Sequence, residues 1–173
     1  MQSSFTSSRI LLPVRPWFIF FSLFVALLLN LLPTARWPAM PDWVALTLCF
    51  WSLREFRRVG MGWSFLFGVL MDVADGSLMG QHALAYVLLS YGATSLSRRI
   101  LWFPLGQQAL QIFPLLMLVQ LIQVGARMMA GAAFPGLGYL MGPFLAAALW
   151  VPATYILLLP QYQPVERDEN RPI

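Results

Sequence analysis

The side chains best suited to chemistry lie in one short stretch, residues 72–82, which reads Asp-Val-Ala-Asp-Gly-Ser-Leu-Met-Gly-Gln-His. Asp72 and Asp75 are one helical turn apart and would share a helix face. With His82 nearby, they could serve a proton step or pair with an arginine of another protein. In a purely structural role, they would cap a helix end where Gly76 and Gly80 bend the chain. We expect His82 to be a local hydrogen-bonding group rather than a proton relay.

The motifs of the common catalytic sites are absent. The chain has no glycine-rich phosphate loop, and its single histidine and single cysteine exclude a zinc site built from protein ligands alone. An intramembrane aspartyl protease needs carboxylates on two helices, in a Gly-x-Gly-Asp context. Here Gly68-Val-Leu-Met precedes Asp72, and no other apolar segment contains an acid. We therefore predict a protein that is not an enzyme and that binds no metal or cofactor.

The composition of the chain argues against a soluble enzyme. The chain has 173 residues, of which 59% are hydrophobic and only 10% are charged. Its mean hydropathy is +0.69. A soluble domain is nearer half apolar and a quarter charged, so this composition favours lipid as the solvent. The formal net charge is +4, but the arginines punctuate apolar stretches instead of clustering on one polar face, which argues against nucleic acid.

The apolar stretches predict an all-α polytopic membrane protein with six transmembrane helices. The expected domains are a cytoplasmic segment 1–16, a single membrane domain 17–159 and a cytoplasmic tail 160–173. The predicted spans are residues 17–32, 43–53, 62–80, 83–97, 105–126 and 139–159. The second is short, about 16 Å against a hydrocarbon core of about 30 Å, so a re-entrant half-helix is the alternative there. No connection between spans is long enough for a soluble domain.

The arginines predict the orientation of the chain. If both termini are cytoplasmic, nine arginines lie inside, and Arg36 and Arg127 lie outside. The nine are Arg9, Arg15, Arg54, Arg57, Arg58, Arg98, Arg99, Arg167 and Arg171. The densest group, Arg54, Arg57 and Arg58, either anchors this orientation or contacts a cytoplasmic partner.

With this topology, Asp72 lies near mid-membrane, where a carboxylate must be paired, hydrated or protonated. That requirement makes Asp72 a candidate for a functional residue or for an interface residue. We expect hydrogen bonds to the carboxyl group to meet the requirement.

Residues 50–91 carry a pattern that resembles the MreD family of rod shape-determining proteins. Its four pieces are Phe50-Trp-Ser-Leu53, Arg58-Val-Gly60, Phe65-Leu-Phe-Gly68-x-x-x-Asp72 and Gly76-x-x-x-Gly80-Gln81-His82-Ala-Leu-Ala-Tyr86. The resemblance implies a multi-pass protein of the bacterial inner membrane that belongs to the cell-wall elongation machinery. The implied partners are MreC, the MreB filament, the RodA glycan polymerase and its penicillin-binding transpeptidase. It also implies a fold similar to the six-helix substrate-binding subunits of vitamin uptake transporters.

Two classes of function remain open at this point. The first is a non-enzymatic scaffold that maintains cell shape by binding partner spans and contacting membrane lipid. The second is a small-molecule-binding transport subunit, in which Asp72, Asp75, Gln81 and His82 would converge towards the outer face. A scaffold should expose a groove for a partner helix, whereas a transport subunit should hold a polar pocket within one chain.

Overall fold

The computed structural model describes residues 14–32 and 40–161. These residues form seven α-helices and no β-strand. The helices are α1 Pro16–Leu31, α2 Trp43–Arg54, α3 Met61–Asp75, α4 Gln81–Ile100, α5 Leu105–Met129, α6 Gly142–Ala148 and α7 Trp150–Leu158, with short 3₁₀ helices at Leu137–Met141 and Leu159–Gln161. Most of the predicted N-terminal segment and tail lies outside the described residues, as do Arg9, Arg36, Arg167 and Arg171.

Local sequence signals account for several helix boundaries. Proline occupies the first turn of α1, where its missing N–H leaves no hydrogen bond unmade. Asp42 caps α2, because its side chain accepts the backbone N–H of Ala45 at 2.9 Å. At the C-terminal end of α3, Gly76 adopts the left-handed conformation with φ of 59° and ends the helix. The predicted third span was therefore too long, since it ran on to Gly80.

The predicted sixth span is a broken helix. Its first half, Leu137–Ala148, contains a 3₁₀ turn and α6, and its second half, Trp150–Gln161, contains α7. The axes of the two halves differ by 47°. Pro152 explains the break, because it has no N–H for the carbonyl of Ala148 and its ring crowds that carbonyl. By length and composition, α5 is the one described helix that could cross a membrane unaided, and the bent pair passes the same test as a unit. The apolar helices α1 and α2 are shorter.

The short helix α2 lies inside the bundle. All ten residues from Val44 to Leu53 are buried. Trp51 packs edge-on against Phe18 of α1 and donates its indole N–H to Ser22 at 2.8 Å. On another side, Phe50 meets Trp150 of α7. A helix enclosed by its neighbours has little contact with the surrounding solvent or lipid, so its length need not match a bilayer.

The other helices surround α2 and carry the exposed apolar surface. α4 packs against α2, α3 and α5, while α1 packs on α2 and α6 packs on α5. Large apolar side chains are exposed on the outer faces, among them Phe24, Val73, Leu84, Leu110 and Ile156. A soluble monomer rarely exposes apolar patches on so many helices.

Charge divides the two ends of the bundle. The acidic end, defined by Asp42, Asp72 and Asp75, contains the C-terminal ends of α1, α3 and α5 and the N-terminal ends of α2 and α4. The opposite end, here called the arginine end, carries Arg15, Arg54, Arg57, Arg58, Arg98 and Arg99. Among the described residues, Arg127 is the one arginine at the acidic end, and Glu55 is the one acid at the arginine end.

Candidate functional site

Asp72 is a hydrogen-bond acceptor that joins the end of α3 to the start of α4. Its Oδ1 accepts the backbone N–H of His82 at 2.8 Å, the ring Nδ1 of His82 at 2.9 Å and the hydroxyl of Ser77 at 3.2 Å. Its Oδ2 accepts the N–H groups of Gly80 at 2.8 Å and Ala83 at 3.4 Å. Asp72 is 2% exposed, so these bonds replace the water that a carboxylate would otherwise require.

Three glycines make this arrangement possible. Gly76 and Gly80 have φ values of 59° and 100°, and they bend the chain so that the first N–H groups of α4 face back towards Asp72. Gly68 allows α3 and α4 to touch, because a Cβ at this position would lie 2.3 Å from the Cα of Ala83. Gly68 therefore serves packing between two helices of one chain, whereas Gly76 and Gly80 serve the turn between them.

His82 lies between two carboxylates. Its Nδ1 faces Asp72, and its Nε2 lies 3.7 Å from Oδ2 of Asp75. An ionised carboxylate has no proton to give, so the proton in the short bond to Asp72 belongs to Nδ1. The Asp75 side chain is 36% exposed, and its contact with His82 is too long for a hydrogen bond. Asp72 is thus internally satisfied, while Asp75 retains acceptor capacity.

A second acceptor, Asp42, was not among the candidates derived from the sequence. Besides capping α2, its carboxylate accepts the amide of Asn30 at 2.9 Å and the hydroxyl of Tyr86 at 2.8 Å. It also accepts the amide of Gln123 at 3.4 Å. An acid directly before an apolar run is an N-cap signal, which could have identified it.

A cavity of about 130 Å³ opens between these groups at the acidic end. Its polar lining comprises Asn30, Asp42, Asp75, His82, Gln120, Gln123 and Tyr139. Of the four side chains expected to converge, Asp75 and His82 line this cavity, while Asp72 lies behind His82. Gln81 does not line it. Its amide is buried and has no hydrogen-bond partner among the described residues.

The described residues contain no group of three or more His, Cys, Asp or Glu side chains arranged to hold a metal ion. The cavity lining instead combines hydrogen-bond acceptors with side-chain amides and a phenol. Tyr139 donates its hydroxyl to Gln123 at 3.1 Å, and its ring lies 5.4 Å from the guanidinium carbon of Arg127. These groups are suited to binding and orienting a polar partner.

The predicted arginine group lies at the opposite end, in and after the last turn of α2. Arg54 stacks over the ring of Phe50 at 5.2 Å. Arg57 lies 6.0 Å from the ring of Phe56 and is exposed. Arg58 donates to the carbonyl of Val14 at 2.5 Å, so it ties the start of α1 to the turn between α2 and α3.

Two apolar grooves mark the sides of the bundle. One, of about 240 Å³, lies between α1 and α7 over α2. The other, of about 360 Å³, lies between α5 and α6 and includes the small residues Gly106, Ala109, Ala147 and Ala148. The structure thus contains both a polar cavity and apolar grooves.

Comparison with known proteins gives a consistent result. The family model described as rod shape-determining protein MreD matches residues 8–159. The rod shape-determining protein MreD of Haemophilus influenzae is 31% identical over 155 residues, which cover 84% of this chain and 91% of that protein. No solved structure matches the chain significantly.

Proposed function

The chain belongs to the MreD family of rod shape-determining proteins, and from this premise we propose that it is a non-enzymatic scaffold of the cell-wall elongation complex in the bacterial inner membrane. The family match over residues 8–159 is the observation that carries the proposal. It supports a role in rod shape determination and a location in a membrane, and it does not favour the transport alternative.

The proposed topology has six spans and both termini in the cytoplasm, with the arginine end inside. The unequal charge of the two ends supports this orientation, because positive residues are retained on the cytoplasmic side. In this topology, residues 17–159 form one membrane domain, flanked by segments 1–16 and 160–173. The enclosed α2 and the bent pair α6–α7 each count as one span, and the six-helix bundle would be similar to the substrate-binding subunits of vitamin uptake transporters.

The hydrogen bonding of the buried polar side chains supports a scaffold function. Asp72 and Asp42 are satisfied by donors from neighbouring helix ends, so they stabilise the bundle instead of presenting reactive groups. The outer faces are apolar and available to other membrane segments. We propose that MreC is a direct partner, that RodA and its penicillin-binding transpeptidase join the same assembly, and that the MreB filament is reached through MreC or at the arginine end.

The groove between α5 and α6 is the proposed docking face for a transmembrane segment of MreC. Small side chains let two helix backbones approach closely, which favours the van der Waals packing that helps to drive helix association in lipid. Ala147 and Ala148 offer that approach on α6, as do Gly106 and Ala109 on α5. The exposed side chains of Leu110 and Phe144 flank them.

Copurification with MreC tests this proposal. Ala148→Trp fills the groove at an exposed position, so it should reduce the MreC recovered with the protein by about tenfold or more. Val73→Trp places the same side chain on the exposed face of α3 and should leave recovery unchanged. Equal recovery with both variants would reject this docking face. Failure of the unmodified chain to copurify with MreC would reject the scaffold assignment itself.

A further inference from the structure

The polar cavity and one of the apolar grooves meet. Leu29 and Trp43 line both the cavity at the acidic end and the groove between α1 and α7. A single molecule could therefore occupy both spaces, with an apolar part in the groove and a polar part in the cavity. This continuity decides what kind of ligand would fit.

The groove has the dimensions of one lipid chain. It follows α1 from Phe18 to Leu29, which is about 16 Å at helical rise and close to half of the roughly 30 Å hydrocarbon core. A volume of about 240 Å³ over that length admits a hydrocarbon chain but not an α-helix about 10 Å across. The lining is apolar except for the hydroxyl groups of Ser22 and Thr47. The Ser22 hydroxyl is already used, since it donates to the carbonyl of Ile19 and accepts the indole N–H of Trp51.

The cavity has the charge to receive a cation. Asp42 and Asp75 line it, and none of the arginines that the structure describes is part of the lining. With Nδ1 directed at Asp72, the imidazole of His82 turns Nε2 towards the cavity and Asp75. Nε2 and Oδ2 of Asp75 are 3.7 Å apart, a spacing at which one ammonium group can donate to both atoms.

We propose that the groove and the cavity form one binding site for a phospholipid whose headgroup carries a primary ammonium. The acyl chain lies along α1 in the groove, and the ammonium enters the cavity between Asp75 and His82. Arg127, held over the ring of Tyr139 at the same end, supplies the cation for the lipid phosphate. In the topology proposed above, this lipid belongs to the outer leaflet.

The headgroup selectivity of the unmodified chain is the primary test. The full-length protein is reconstituted in vesicles that contain equal parts of phosphatidylethanolamine, phosphatidylcholine and phosphatidylglycerol with identical acyl chains. The lipids that remain bound after extraction in mild detergent are counted by native mass spectrometry. Phosphatidylethanolamine should be retained about tenfold over phosphatidylcholine, whose quaternary ammonium has no N–H to donate, and over the anionic lipid. Equal retention of the three lipids would overturn the proposal.

Two pairs of variants then locate the site. Asp75→Asn should abolish the headgroup preference, whereas Glu55→Gln, which removes a carboxylate at the arginine end, should preserve it. Ala153→Trp should reduce the retention of all three lipids by filling the groove, and Val73→Trp, outside the groove, should not. Val25→Trp, at an exposed groove position, repeats the test if Ala153→Trp misfolds.

Two results would contradict the location. One is an unchanged headgroup preference in Asp75→Asn. The other is normal lipid retention in both Ala153→Trp and Val25→Trp, whatever amount of MreC these variants recover. Because MreC recovery is tested by Ala148→Trp at a different groove, the scaffold proposal and the lipid site can fail independently.

Discussion

Asp72 holds His82 twice, through the backbone N–H at 2.8 Å and through the ring Nδ1 at 2.9 Å. The first bond caps the N-terminus of α4, and the second fixes the imidazole so that its other nitrogen faces Asp75 and the cavity. One carboxylate therefore closes the α3–α4 hairpin and orients a cavity side chain. Substitutions at this position should affect stability first and the cavity second.

The stability lost on replacing Asp72 should depend on how many hydrogen-bond acceptors the new side chain keeps. Asp72→Leu leaves the buried N–H group of His82 without a partner, at about 1–3 kcal/mol, and removes the acceptor of the partly exposed N–H group of Gly80 at a smaller cost. Asp72→Asn keeps one acceptor but turns its NH₂ group towards one set of donors, so an intermediate loss of about 1 kcal/mol is expected. Thermal unfolding of the purified variants in detergent measures the order. Equal stability of the Leu variant and the unmodified chain would contradict the capping role.

Gly68→Ala should separate α3 from α4. The added methyl group would lie 2.3 Å from the Cα of Ala83, which is backbone and cannot rotate away, so a loss of about 1–3 kcal/mol is expected. Gly62→Ala is the matched control in the same helix, because nothing lies within 4 Å of its Cβ. The control should be neutral or slightly stabilising. Similar melting temperatures for the two variants would argue against the close approach.

Asp42 and Tyr86 should be energetically coupled. Asp42→Ala removes the cap of α2 and leaves the buried Tyr86 hydroxyl unsatisfied, for about 2–3 kcal/mol in total. Tyr86→Phe removes one bond, for about 1 kcal/mol. In the double variant the losses should be less than additive, because both single changes break the same bond. Strict additivity in the double-mutant cycle would show that the two residues do not interact.

The orientation can be read by thiol labelling in intact cells. Cys49 is fully buried, so Cys49→Ala provides a background without introducing a buried hydroxyl. Met79→Cys, in the exposed turn between α3 and α4, should react with an impermeant reagent, whereas Ser3→Cys and Gln163→Cys should not. Reaction at position 3 or 163 would place that terminus outside and contradict the proposed topology.

Much of the helical architecture follows from local sequence. The apolar runs predicted α1, α2 and α5 to within a few residues, since their boundaries depend on nearby prolines, caps and polar residues. The left-handed glycine that ends α3 and the break before α7 are local effects too, at Gly76 and Pro152, but an apolar count does not register them. The motif pattern over residues 50–91 predicted the family, which the comparisons confirmed.

The sequence by itself determined the helical class and the family. It also predicted that Asp72 would be hydrogen-bonded, because a carboxylate in an apolar segment requires partners wherever the fold places it. Tertiary structure alone decided who those partners are. Asp42 meets Tyr86 and Gln123, which are 44 and 81 residues away in the chain, only because three helix ends pack at one end of the bundle. The junction of groove and cavity at Leu29 and Trp43 has the same origin, since it depends on how α1 and α7 are placed over α2.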